Sequence, residues 1–166
     1  MPSRGVADIF GNCAGMAKDL RREAPRRWSD EIDGIRWLGR LIDKTRATLA
    51  GTLGAYLYGQ SPIDRSFLRA LGLGHRAFAE IVAQSPEDAA VVAALAARDP
   101  GSLLRARAWS ATLPQRQGVF LFILDVDDGY VRGPWRALKI PANIASYAVT
   151  WSAKRLWPSS VKEVSR

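Results

Sequence analysis

The chain has 166 residues, 48% of them hydrophobic, and a formal net charge of +8. That is enough for one hydrophobic core, too little for two comfortable domains, and too apolar for wholesale disorder. Cys13 is the sole cysteine and His75 the sole histidine, which excludes an intrachain disulfide and a cysteine-based zinc site and leaves a catalytic triad one base to build on.

No apolar run reaches the roughly 18 to 20 residues of a spanning helix, and Asp8, Lys18 and Asp19 interrupt any N-terminal signal-like run. A cytoplasmic protein, soluble or peripheral to a membrane, is therefore expected. Its charge is unevenly spread. Residues 1–36 hold seven Lys/Arg against six Asp/Glu, residues 37–129 ten against nine, and residues 130–166 seven against one. A basic terminal segment of this kind points to an anionic membrane, an acidic partner or nucleic acid.

In chain order, residues 1–29 mix Gly, Pro and charge without a sustained period and predict a loosely docked arm, with a short helix around residues 15–23. From Ser29 or Asp30 the pattern predicts an amphipathic helix. Ile35, Leu38, Ile42, Thr45, Leu49 and Leu53 share one face, and Arg36, Arg40, Asp43 and Lys44 project from the other. Asp30 is the expected cap, and Asp33 favours the positive end of the helix dipole. Gly51 and Gly54 fall at the far end of this helix. Phosphate-binding glycines precede a helix, where its N–H groups are free, and the Gly-Lys-Ser/Thr element is missing. These two therefore predict a helix stop with a left-handed glycine, followed by a short extended "AYLYG".

Further helices are expected over residues 63–71, 74–83, 86–98, 103–112 and 114–126, with Pro62 at a tolerated first position and Gly72 as a stop. The run "VFLFIL" is also short and apolar enough for a buried strand. The expected fold is all-α: a small helical domain over 30–129, an N-terminal arm over 1–29, and a basic aromatic helical tail over 130–166.

Three strings invite a chemical reading. "GLGHRA", residues 72–77, satisfies a dinucleotide-binding pattern but follows a helix-period segment, so an ordinary helical hairpin fits better than a cofactor turn or a DNA-reading helix-turn-helix. "FILDVDDGYV", residues 122–131, resembles aspartate-based phosphotransferases and calcium loops. The first pattern lacks its threonine, and in the second the glycine falls one position early. A helix ending in an acidic turn is the simpler expectation. Lastly, Arg40, Asp43, Lys44, Arg46, Tyr56, Tyr58, Asp64 and Arg65 form the densest polar cluster outside the tail, where charges are ordinarily solvated or locally bridged.

The tail is the most distinctive segment. Trp135, Tyr147, Trp151 and Trp157 stand beside Arg136, Lys139, Lys154 and Arg155, with no acidic residue between Asp128 and Glu163. Ile140, Ile144, Tyr147 and Trp151 share a helical stripe. Such a helix can lie at a bilayer interface, dock on a partner or cover the protein's own core.

Residues 37–73, "WLGRLIDKTRATLAGTLGAYLYGQSPIDRSFLRALGL", resemble a bacterial family catalogued as domain of unknown function 5069. The resemblance runs through Arg40, Ile42, Asp43, Lys44, Arg46, Ala47, Leu49 to Gly54, Tyr56, Tyr58, Pro62, Asp64 and Phe67, and weakens towards Gly129. Gly39 stands where the family tends to have Pro, Ser61 where it tends to have Cys, and Ile63 where it tends to have Leu. The family implies a small α-helical domain and supplies no reaction or catalytic residues.

The expected function is that of a non-enzymatic binding or scaffold protein, attached through residues 133–158 to a larger protein assembly or an anionic membrane surface. Nucleic-acid binding through the tail is the alternative. An enzyme built on Asp43, Lys44 and Arg46, or on Asp125 to Asp128, ranks last. No cofactor and no metal are expected.

Overall fold

The computed structural model describes residues 17–131, 133, 134, 148, 151, 152 and 155. Within the described residues 17–131 six helices follow in order: α1 Leu38–Leu49, α2 Pro62–Leu71, α3 His75–Gln84, α4 Asp88–Arg98, α5 Ser102–Ala111 and α6 Leu113–Asp127. The fold is all-α. No strand is formed among the described residues, and "VFLFIL", expected as helix with a buried strand as the alternative, is part of α6.

The first helix begins seven residues later than it would with Asp30 as its cap, at Leu38 after the N-cap Trp37. Ile32 and Ile35 exchange backbone hydrogen bonds of 3.2 and 2.9 Å across a two-residue turn. Asp33 (φ 52°) and Gly34 (φ 70°) both have positive φ there, the arrangement that an Asp-Gly pair favours. The sequence reading took Asp33 as the first turn of a helix, and the Asp-Gly turn overrides it. Trp37 then takes the N-cap position with a left-handed backbone (φ 72°). Its N–H donates to the Trp28 carbonyl at 3.0 Å and its carbonyl accepts from Leu41 at 2.9 Å.

The other end of α1 follows expectation. Gly51 (φ 69°) closes the helix, its N–H donating to the Thr48 carbonyl while the Thr52 N–H reaches the Ala47 carbonyl at 2.7 Å. This pair of bonds satisfies the last carbonyls of the helix. "AYLYG" forms turns and bends and is not extended. Residues 17–23, where a short helix was expected, contain only a turn at residues 20–22.

α2 packs on α5 and α1 on α3, with α3, α4, α5 and α6 each packed on the next. Ile35, Trp37, Leu38, Leu41, Ile42, Phe67, Leu71, Phe78, Leu95 and Leu121 fill one core. Ten consecutive residues of α1, Leu38 to Ala47, are buried. A helix enclosed on every side is ordinarily apolar all round, yet this run includes Arg40, Asp43, Lys44 and Arg46. Each must find a partner, because a buried unpaired charge is prohibitively costly.

Candidate functional site

The four charges of α1 each reach a different part of the chain. Arg40 points to the end of α6, where Nη1 donates to Asp128 at 2.6 Å. Asp43 accepts from the backbone N–H of Arg26 at 2.8 Å and from its guanidinium at 2.8 and 3.0 Å. Lys44 Nζ lies 2.6 Å from both oxygens of Asp64 on α2. Arg46 donates to Asp88 at 3.0 Å and to the Pro86 carbonyl at 2.7 Å, fastening the α3–α4 connection. One helical stretch thus ties down the N-terminal segment, α2, the α3–α4 loop and the end of α6.

Aromatic groups complete the arrangement. The Trp37 indole donates to Asp64 at 3.0 Å, and the Lys44 ammonium lies 5.4 Å from its ring centroid. The Arg40 guanidinium stands 5.6 Å from the Trp37 ring and 5.7 Å from that of Tyr56, contacts in which a ring face attracts a desolvated cation. Tyr56 donates to Asp128 at 2.7 Å, so this carboxylate receives both a guanidinium and a phenol. Tyr58 donates to the His75 carbonyl at 2.5 Å and anchors the start of α3.

Residues 18–29, assigned by sequence to the arm, lie with Asp30 against this helix. Arg26 bridges Asp43 and Asp88, Arg27 binds both oxygens of Asp125 at 2.5 to 3.1 Å, and the Pro25 carbonyl accepts from Tyr130 at 2.7 Å. Leu20, within this strap, is buried.

Burial decides what these groups can do chemically. The Lys44 and Asp64 side chains are 4% and 0% exposed, so both are shielded from solvent. Burial pushes the Lys44 ammonium below its ordinary value, with Asp64 opposing and the neighbouring Arg40 charge assisting. Burial, followed by the Asp128 charge and its hydrogen bond, raises the Tyr56 hydroxyl well above the usual phenol range. At Asp88 burial alone would raise the carboxyl. The hydrogen bonds and charge of Arg26, joined by Arg46, outweigh that and hold it below the usual carboxylate range.

The structure corrects the expectation of a solvated polar face. Arg40, Asp43, Lys44, Arg46, Tyr58 and Asp64 are buried and Tyr56 is half-buried, while Arg65 is exposed on α2. Sequence reasoning missed Arg26, Arg27, Trp37 and Asp88. Asp88 signals only a helix start, and two arginines after Pro25 signal only charge; their role exists once long-range contacts form. The Asp125 to Asp128 string ends α6, as the simpler expectation had it, and Asp125 and Asp128 are engaged by Arg27 and by Arg40 with Tyr56. Among the described residues no group of three or more His, Cys, Asp or Glu is placed to hold a metal ion.

In the tail, Ala148, Trp151, Ser152 and Arg155 are helical and exposed, and the Arg155 guanidinium lies 5.2 Å from the Trp151 ring centroid. Trp135, Arg136, Lys139, Tyr147, Lys154 and Trp157 lie outside the described residues. No helix among the described residues is long and apolar enough to cross a membrane.

No curated protein matches the chain. The family model described as Domain of unknown function (DUF5069) matches residues 22–118, a span that contains α1 and its Arg26, Asp64 and Asp88 partners. With more than half of its length in that match, the chain belongs to this family.

Proposed function

We propose that this protein is a non-enzymatic binding module whose helical domain is a rigid scaffold and whose basic aromatic C-terminal segment attaches it to an anionic membrane surface. The observation that carries the reading is Trp151, a large ring left 52% exposed with a guanidinium beside it, in a segment of seven Lys/Arg and one acidic residue. An indole sits favourably at the headgroup level of a bilayer, and neighbouring cations gain from anionic lipid, about 1 kcal/mol per basic residue. A second feature supports the scaffold half of the reading. The charges of the 37–64 motif are consumed by internal partners, leaving that cluster no exposed group for acid–base work.

Vesicle flotation tests this directly, using phosphatidylcholine with and without phosphatidylserine at low and high salt. The full chain is expected to float only with the anionic lipid and less at high salt, because surface charges are screened. Arg155→Ala should weaken binding about fivefold, and Trp151→Ser should weaken it further. Absence of flotation, or flotation indifferent to both substitutions, would sink the reading.

A further inference from the structure

A cleft of about 280 Å³ opens between α2, α5 and α6, and none of its lining residues belongs to the ionic network. Its lining includes buried Ile63 and Leu113, half-buried Trp109 and Phe120, and exposed Arg116. The volume lies at the lower edge of ligand pockets, which run from roughly 300 to 1,000 Å³. It suits a molecule of one or two rings and is too small for a helix.

Two further features mark this cleft as a binding site. α6 is broken at Gln117 (φ −133°, ψ 16°), and the cleft straddles the break, with Leu113 and Arg116 before it and Phe120 after it. Such departures inside an element recur at ligand sites. The other feature is charge. The Arg116 guanidinium donates to the Thr112 and Trp109 carbonyls at 3.3 and 3.0 Å and lies 5.3 Å from the Trp109 ring centroid. No carboxylate among the described residues bridges it. A fixed cation at the rim of an apolar, aromatic cleft selects an anion with an apolar body, and it disfavours the chain's own basic tail. Ser66 Oγ accepts the Trp109 indole N–H at 2.9 Å, which leaves the hydroxyl proton to donate.

We propose that this cleft binds a small aromatic carboxylate, with its ring against Trp109, Phe120, Ile63 and Leu113 and its carboxylate on Arg116. The proposal does not rest on the membrane reading, since no lining residue belongs to the C-terminal segment.

2-Naphthoate serves as the probe and 2-naphthalenemethanol as its neutral counterpart, followed on the full chain by calorimetry and by the indole N–H resonances, with that of Trp109 identified by its loss in Trp109→Phe. The acid should bind saturably and shift the Trp109 resonance, while the alcohol binds about tenfold more weakly. Arg116→Gln, at an exposed position, should bring the acid down to the level of the alcohol. Lack of a saturable Trp109 shift, equal binding of acid and alcohol by the native chain, or undiminished binding of the acid by Arg116→Gln would each overturn the proposal.

Discussion

Gly51 and Gly59 share nearly the same backbone, φ 69° and 70°, and differ in what surrounds them. A Cβ on Gly51 meets nothing within 4 Å, whereas a Cβ on Gly59 would come 2.7 Å from the Cβ of His75. Gly51→Ala should therefore cost only the left-handed strain, about 1 kcal/mol, and Gly59→Ala about 3 kcal/mol, because it must also displace the start of α3. Urea unfolding of the two variants measures the difference; equal losses would show that α3 yields freely at His75. The stop at Gly51 is legible in sequence because helix punctuation is local. The demand at Gly59 is not, since it comes from a residue that the chain folds back to reach. Lys44 was misjudged for a related reason. Its spacing reads as the polar face of a helix, and only Asp64 on another helix and Trp37 in the preceding turn make that face an interior.

At the level of elements, the strap of residues 18–30 is held to α1 by charge. Asp43 is 6% exposed and receives Arg26 through three hydrogen-bond donors. Arg26→Met removes the guanidinium from a nearly buried carboxylate and should destabilise the domain by about 2 to 3 kcal/mol, measured by the denaturant midpoint. A loss below a few tenths would mean that the strap contributes nothing to the fold. The same guanidinium sets a pH dependence. Because Asp88 is held below its ordinary value of 3.8 in the folded state, the unfolded chain takes up its proton first as pH falls. Its contribution is full above about pH 5, begins to fade near the unfolded value and is lost through the folded one. Asp88→Asn should flatten the acid limb of a melting-temperature profile below pH 4 relative to the native chain; an unchanged slope would contradict the coupling.

The helices were legible at this scale. α2 to α6 lie within about two residues of their expected bounds, because period, proline and glycine are strong local signals. The start of α1 was not, because alternating Ile32, Ile35 and Leu38 suit a helical wheel as well as a turn, and the Asp33-Gly34 pair settles the matter in favour of the turn.

Across the whole molecule, buried charge joins the elements into one scaffold. Lys44 and Asp64, Arg40 and Asp128, Arg46 and Asp88, and Arg27 and Asp125 connect distant parts of the chain. The first two are buried on both sides; such pairs add little net stability against an apolar alternative but are costly to break singly. The family-matched residues 22–118 carry most of this frame, whereas the surplus positive charge and the exposed Trp151–Arg155 pair lie beyond it. The resemblance over residues 37–73 correctly marked the densest part of the frame. The sequence does not show that these side chains are buried, since buried and solvated clusters gather the same residue types; the structure places Arg40, Asp43, Lys44, Arg46 and Asp64 in the interior.

The most direct test of this division is vesicle flotation of the Lys44→Met/Asp64→Asn chain beside the native one. The pair removes both buried charges while leaving an oxygen to accept the Trp37 indole N–H. A folded double variant that floats with anionic vesicles as well as the native chain is the expected result, with the motif serving as frame and the tail as attachment. A folded double variant that no longer floats would place the working surface at the motif and contradict the account.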